Sequence, residues 1–126
     1  MNENRTIAIG LVAHDEKKAQ MVEWTGENRA KLTNYTIYAT GTTGSLIKSH
    51  CPDLDVRCLM SGPLGGDQQL GAMICEDRLN MLVFFIDPLS PHPHDVDVKA
   101  LIRLATVYDL PHACNKSTAD IIVNSL

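Results

Sequence analysis

Asp67 is the first candidate for a residue that transfers a proton. It follows the glycine pair Gly65-Gly66 and stands where a helix is expected to begin. An aspartate in that place is most often an N-cap, and the positive end of a helix would make it a poor base. A glycine run before a cap costs entropy, however, unless the backbone must approach something closely. To act as a base, Asp67 would need a pKa raised by burial or by neighbouring carboxylates. Both interpretations, N-cap and catalytic base, stay open at this point.

Two segments combine glycines with hydroxyl groups. Residues 40–44 read Thr-Gly-Thr-Thr-Gly and precede a short helix expected from Ser45. Close backbone approach, hydroxyls and free N–H groups at a helix start can bind a phosphate without a metal. The segment matches neither the P-loop nor the Gly-x-Gly-x-x-Gly pattern, so nucleotide binding gains no support. Alone it is either an anion site or an ordinary turn. A second such loop, beginning at Ser61-Gly62, favours the phosphate interpretation.

Two further segments carry histidines. His14, Asp15 and Lys18 lie within one turn of one another, with Asp15 placed to cap the next helix and Lys18 to reach back over its N-terminus. A capped helix with a solvated lysine is the simpler interpretation. Segment 87–97 contains three prolines, and His94 there could donate to a carbonyl or enolate oxygen. Asp95 or Asp97 would then orient its ring.

A zinc site from His92, His94 and Asp97 lacks a defined ligand spacing and is disfavoured. What remains is a metal-free phosphate cradle, one candidate carboxylate base and one candidate histidine electrophile. Triosephosphate isomerase pairs a glutamate with a neutral histidine for the same kind of task. The set is therefore suited to taking a proton from carbon next to a carbonyl in a small sugar phosphate.

The elements that must position these residues alternate along the chain. Short apolar runs alternate with helical periodicity, which is typical of βα units around a parallel sheet. Strands are expected at 6–13, 35–39, 56–60, 81–86 and 111–114, and helices at 16–28, 67–76 and 95–109. Ser117 and Asp120 resemble a capping box for the last helix.

The expected fold class is α/β, a three-layer αβα arrangement with an open, doubly wound, mostly parallel sheet of about five strands. Ligands bind outside the carboxyl ends of the strands in such sheets, and the polar segments follow those ends. Three further carboxylates are expected near Asp67 at the same edge: Asp15, Asp87 and Asp97.

Composition narrows the function classes. A length of 126 residues predicts one domain over 1–126. Fifteen acidic against 11 basic residues, with a net charge of −4, argue against binding to nucleic acid. The apolar runs are far shorter than the roughly 20 residues that cross a bilayer, and the polar N-terminus has no signal-peptide core. We therefore expect a soluble, cytoplasmic protein that binds no membrane. Its four cysteines are expected to be reduced and mostly buried.

Four blocks, in order, resemble the signature segments of bacterial methylglyoxal synthases. The blocks are Val12–Asp15, Ala39–Gly44, Ser61–Gln69, and Asp87–Leu89 continued by Pro93–Val98. The Ser-Gly-Pro-x-Gly-Gly-Asp-Gln-Gln block is the most specific, and the resemblance extends from about residue 6 to residue 122. It implies a fold of flavodoxin type and conversion of dihydroxyacetone phosphate to methylglyoxal and inorganic phosphate, in the methylglyoxal bypass of glycolysis. It also implies a cytoplasmic homohexamer that needs no metal or organic cofactor and is inhibited by inorganic phosphate.

The resemblance also assigns roles to residues. Asp67 matches the family's catalytic proton acceptor and donor, Asp97 its second carboxylate, and His94 the residue that positions the carbonyl and hydroxyl oxygens. The matching substrate contacts are His14, Lys18, Thr40, Gly41, Thr42, Thr43, Ser61, Gly62 and His94. The threonine loop, Lys18 and Ser61-Gly62 would serve the phosphate. Arg103 matches a family arginine of open role, and no arginine follows it, whereas family members commonly have one in a C-terminal tail.

Two rival functions stay open. A non-catalytic ligand-binding domain of the same fold occurs in carbamoyl phosphate synthetase, but a pure sensor has no need for Asp67, His94 and Asp97 together. A flavin-binding module is suggested faintly by the Thr-Gly-Thr-Thr loop. None of its one Trp, three Tyr and two Phe is placed in the loops beside the cradle, so no pair of rings to enclose a flavin is apparent.

Overall fold

A five-stranded parallel sheet organises the molecule. The computed structural model describes residues 7–90 and 95–126. The strands are β1 (Ala8–Ala13), β2 (Thr36–Thr40), β3 (Asp55–Leu59), β4 (Met81–Phe85) and β5 (His112–Ala113). They lie in the order β3-β2-β1-β4-β5, and every pairing is parallel. The helices are α1 (Lys18–Glu27), α2 (Arg29–Leu32), α3 (Gly41–His50), α4 (Gly66–Cys75), α5 (Asp95–Val107) and α6 (Lys116–Asn124).

The central strands β1 and β4 are buried on both faces because they are apolar at every position, whereas the edge strand β3 exposes Asp55, Arg57 and Cys58. Alternate residues point to opposite faces of a strand. Ile9 and Leu11 of β1 therefore pack on one side with α1, α2, α3 and α6. Leu82 and Phe84 of β4 pack on the other side with α4 and α5. This confirms the three-layer, doubly wound α/β fold predicted from the sequence.

The strand order places a natural binding cleft between β1 and β4. From β1 the chain builds outward through β2 to β3, and it then crosses to β4 and β5 on the other side. In doubly wound sheets the ligand binds where this direction reverses, at the carboxyl ends of the strands. Ala13 pairs with Phe85 in register, and the His14 amide donates to the Phe85 carbonyl over 3.2 Å. The segments that follow β1 and β4 are thereby adjacent.

Two helices begin earlier than the sequence predicted. Helix α3 starts at Gly41 rather than Ser45, so Thr42 and Thr43 lie in its first turn instead of a loop. Helix α4 starts at Gly66, with Gly65 as its N-cap residue. Asp67 is therefore inside the first turn, and the N-cap interpretation of this residue is wrong.

Two predicted caps are also wrong. Asp15 lies in a short 3-10 turn (Asp15–Lys17), and no side chain caps α1. The last helix is capped by Asn115, whose Oδ1 accepts from the Thr118 amide over 3.0 Å, rather than by a box beginning at Ser117. An asparagine immediately before a helix competes for the same free amides as a serine inside it.

Asp120 of α6 has a different role from the predicted capping one. Its carboxylate accepts from the indole N–H of the fully buried Trp24 over 2.9 Å and from the Lys116 ammonium over 2.9 Å. The side chain therefore joins α6 to α1 across 96 residues of sequence.

The expectation of mostly buried cysteines is wrong. All four thiols are free, but only Cys51 is buried, Cys114 is intermediate, and Cys58 and Cys75 are exposed. Within residues 7–90 and 95–126, no helix combines the length and the apolar character that crossing a bilayer requires.

Candidate active site

A polar cavity of about 220 Å³ lies at the carboxyl ends of the first four strands. The predicted site residues that line it are His14, Lys18, Thr40, Thr42, Thr43, Ser61, Gly62 and Asp67. Pockets for drug-sized ligands occupy about 300–1,000 Å³, so this cavity suits a smaller molecule. A wider groove of about 770 Å³ between α1 and α3 is lined by other described residues and by none of this set.

The threonine segment presents the N-terminus of α3 to the cavity. Thr40 ends β2 and is the N-cap residue of the helix, and Thr43 lies in the first turn of that helix; only 5% and 1% of their surfaces are exposed. The first amides of a helix have no acceptor within that helix. The Gly41 amide donates to the Met60 carbonyl over 3.2 Å, and the amides of Thr42 and Thr43 follow it. A helix of ten residues with this start attracts an anion through its amides and its dipole.

Gly41 allows the two glycine-containing loops to touch. Its φ is +21°, and a Cβ on it would lie 2.7 Å from the Cα of Ser61. Gly66 likewise allows close packing, because a Cβ there would overlap the Met60 carbonyl oxygen. The Gly66 amide donates to the Ser61 carbonyl over 2.9 Å. The start of α3, the Ser61-Gly62 loop and the start of α4 therefore form one continuous wall.

Asp67 brings a carboxylate to that wall. Its side chain is 4% exposed and lies beside Gly62, where an added Cβ would be 3.3 Å from Asp67 Oδ1. Burial disfavours the charged form of a carboxyl group, whereas the N-terminus of α4 favours it. A buried carboxyl group beside an anion-binding wall is positioned to exchange a proton with a bound small molecule.

His14 faces the cavity in a fixed orientation. Its ring is 5% exposed and meets Phe84 edge to face, with centroids 5.1 Å apart and planes at 72°. The Asp87 backbone amide donates to His14 Nδ1 over 2.9 Å. Nδ1 can accept only when it carries no proton, so the neutral ring carries its proton on Nε2. His14 can then donate to an oxygen of a bound molecule.

Lys18 supplies a positive charge at the mouth of the cavity. Its side chain is 20% exposed and forms an ion pair with Asp15, whose side chain is 93% exposed. Asp15 also lines the cavity. Because the Asp15 carboxylate is solvated, it screens the ammonium without removing it from reach of an anion.

Two of the predicted site residues that the structure describes, Gly41 and Asp97, do not line this cavity. Gly41 packs against Ser61, which lines the cavity, but Gly41 itself is not among the lining residues. Asp97 accepts a hydrogen bond from Gln68 Nε2 over 2.9 Å and lines a second groove, of about 230 Å³, between α4 and α5. Asp67 lines this groove as well as the cavity, so it borders both spaces. His94 falls outside the described residues, as does the His92 of the disfavoured zinc set.

Two contacts in the site are not predicted by the sequence, although Asp87 is expected there as a carboxylate. Asp87 acts through its backbone amide, which no side-chain pattern can reveal. Phe84 is predicted by the sequence only as part of a buried strand, but its ring packs against His14. Among the described residues, no group of three or more histidine, cysteine, aspartate or glutamate side chains could hold a metal ion.

Comparison with known proteins agrees with this geometry. A family model described as the MGS-like domain matches residues 20–114. The methylglyoxal synthase of Oleidesulfovibrio alaskensis is 56% identical over 117 residues, covering 93% of this chain and 80% of that protein. The chain belongs to the methylglyoxal synthase family.

Two further methylglyoxal synthases are also similar to this chain. The methylglyoxal synthase of Brucella ovis is 56% identical over 120 residues, covering 95% of this chain and 96% of that protein. A crystal structure of methylglyoxal synthase from Elizabethkingia anophelis NUHP1 superposes with a TM-score of 0.88 at 49% identity, covering 94% of this chain and 77% of that one. The relatives of this chain are therefore enzymes, and the fold is theirs.

Proposed function

We propose that this chain converts dihydroxyacetone phosphate to methylglyoxal and inorganic phosphate, as a carbon-oxygen lyase of the methylglyoxal bypass of glycolysis. One observation carries the proposal: the buried Asp67 carboxyl group shares a 220 Å³ cavity with the anion-binding start of α3. The names of its relatives agree with this chemistry. The proposal includes a cytoplasmic single-domain protein that assembles as a homohexamer, uses no metal or organic cofactor, and binds neither nucleic acid nor membrane.

In the proposed reaction the phosphate group binds first. The amides of Thr42 and Thr43, the threonine hydroxyls, the Ser61-Gly62 loop and the Lys18 ammonium surround the place where it would lie. Inorganic phosphate, the product, would bind the same groups and inhibit. This end of the site fixes the substrate, so that the reacting carbon meets the catalytic groups in one orientation.

Proton transfer follows at Asp67. Its carboxylate takes a proton from C3, and the electrons move to the carbonyl to give an enediolate. The Nε2–H of His14 can donate to one of the oxygens that become negative. By family resemblance, His94 positions the carbonyl and hydroxyl oxygens and Asp97 is the second carboxylate that assists Asp67. The enediolate then expels phosphate from C1, and the resulting enol takes up a proton to become methylglyoxal.

The choice between elimination and isomerisation depends on conformation. Phosphate leaves readily only when its C1–O bond lies across the plane of the enediolate, because the electrons must flow into that bond. A phosphate held by the N-terminus of α3, which is fixed against the Ser61-Gly62 loop, cannot rotate freely into the plane. We infer that this wall selects the eliminating conformer.

A direct test incubates the purified chain with dihydroxyacetone phosphate and EDTA, and measures phosphate and methylglyoxal together. Equal release of both products is expected. Asp67→Asn should lower kcat by about 10²- to 10⁴-fold, the usual contribution of a general base, and change KM far less. Asp53→Asn is the matched control, since Asp53 is half exposed and pairs with Arg29 away from the cavity.

Two outcomes contradict the proposal. Release of neither product by the wild-type chain, under conditions where it is folded, would favour the non-catalytic ligand-binding function. Full turnover by Asp67→Asn would remove Asp67 from the mechanism and leave the proposed chemistry without its base.

A further inference from the structure

The Ser61-Gly62 loop lies at an exposed edge of the sheet. It follows β3, which is the outermost strand and pairs only with β2. An edge strand has no neighbouring strand on its outer side to hold its backbone. The loop must nevertheless stay in place, because both of its first residues line the cavity. Some contact other than the sheet has to fix it.

Gln69 provides such a contact through Met60, the residue just before the loop. The Met60 amide donates to Gln69 Oε1 over 2.8 Å, while its carbonyl accepts from the Gly41 amide over 3.2 Å. Met60 is thus bound on one side to the α3 start and on the other to a side chain of α4. The Gln69 side chain is exposed and does not line the cavity.

The placement of Gln69 on α4 connects the loop to the candidate base. Gln69 is two residues after Asp67, so the two side chains point about 200° apart around the helix axis. Asp67 faces the cavity, and Gln69 faces the end of β3. Gln68, between them, donates to Asp97 on α5. A displacement of α4 that moves Asp67 therefore also moves the contact that fixes Met60.

We propose that Gln69 is a positioning residue for phosphate binding: it acts through the Met60 amide to hold the Ser61-Gly62 loop against the start of α3. The inference rests on the proposed function for its substrate, but its effect on inorganic phosphate is independent of turnover. Gln69 touches no substrate atom. It keeps the Ser61-Gly62 loop at a fixed distance from the start of α3.

Three variants test this role. Gln69→Met keeps the length of the side chain and removes the acceptor. Gln69→Glu restores an acceptor at the same place, and its added charge is exposed and largely screened at physiological salt. Gln20→Met is the matched control on an exposed position of α1. For each, inorganic phosphate affinity is measured from the NMR shifts of the Ser61 and Gly62 amides, together with KM, kcat and the urea midpoint.

Gln69→Met should weaken phosphate binding and raise KM by about three- to tenfold, the worth of one net hydrogen bond, with a smaller change in kcat. The urea midpoint should stay close to wild type because the side chain is exposed. Gln69→Glu should recover most of the loss, and Gln20→Met should match the wild type throughout. Unchanged phosphate affinity in Gln69→Met, or a Gln69→Glu variant no better than it, would overturn the proposal. Should the wild type bind phosphate yet fail to turn over dihydroxyacetone phosphate, the proposed reaction would fall while the phosphate measurements still decide the role of Gln69.

Discussion

Gly41→Ala probes the contact between the two anion-binding segments. The new methyl carbon would lie 2.7 Å from Ser61 Cα and 2.8 Å from Ser61 Cβ. Non-bonded carbons normally stay about 3.5–4.0 Å apart, so the segments must separate by about 1 Å. The backbone adds strain, because φ is +21° at this position and side chains disfavour that region by about 1–2 kcal/mol. A displacement of about 1 Å can cost roughly 100-fold in rate.

We therefore expect Gly41→Ala to fold, to lose about 1–3 kcal/mol of unfolding free energy, and to lose about 100-fold in kcat/KM for dihydroxyacetone phosphate. Phosphate release and urea unfolding measure the two effects. Gly26→Ala is the matched control, since its Cβ would meet His50 no closer than 3.6 Å inside α1, where alanine is favoured over glycine by about 0.5–1 kcal/mol. A folded Gly41→Ala protein with wild-type kcat/KM would refute the inferred closeness of the two segments.

Three further predictions concern individual contacts. Lys18→Ala should raise KM about tenfold or more with less effect on kcat, because it removes a charged contact to the phosphate. The control Lys17→Ala should leave KM unchanged. If steady-state kinetics show an unchanged KM for Lys18→Ala, Lys18 is not part of the phosphate site. His14→Gln should retain more activity than His14→Asn, because a glutamine amide can donate from the place of Nε2; the reverse order in kcat/KM would contradict the assigned tautomer. Asp120→Ala should lower the free energy of unfolding by about 1–3 kcal/mol, because it leaves the buried Trp24 indole without its acceptor. Asp120→Asn should lower it by only about 0.5 kcal/mol in urea titrations at pH 7, since the pair with Lys116 is partly exposed. The Lys116 hydrogen bond holds the pKa of Asp120 below its usual value of 3.8. The stability advantage of the wild type over Asp120→Asn is therefore fully present above that pH and is lost as the pH falls through the lowered pKa. An advantage that does not decline as the pH drops below 3.8 would contradict the ion pair.

The sequence predicts the centre of the sheet well because β1 and β4 are buried on both faces. Runs such as Met81–Phe85 are apolar at every position and end at turn residues, so local composition and tertiary burial agree. The starts of α3 and α4 were predicted less well. Glycine and threonine are weak helix formers, and Gly41 begins a helix only because the chain there is packed against Ser61. Tertiary contact, rather than propensity, sets that boundary.

The candidate site divides in the same way. Asp67, His14 and the threonines could be chosen from residue type and from their place after strands, since the carboxyl ends of parallel strands meet at one edge. The partners that orient them could not. The Asp87 amide on His14 and Gln69 on Met60 are contacts between a backbone amide and a side chain from a distant element. No residue pattern in the sequence marks which backbone amide will be the donor.

The hydrogen bond between the Asp87 amide and His14 joins segments that are 73 residues apart in the sequence, so the site forms only when both segments are folded. The cavity walls come from the ends of β1, β2 and β4 and from the loop after β3, so no partly folded form that lacks β4 can contain the site. A ligand bound there stabilises only the state in which the sheet is assembled, by RT ln(1 + [L]/Kd). Inorganic phosphate should therefore slow amide exchange across all the central strands rather than only in the loops that it touches.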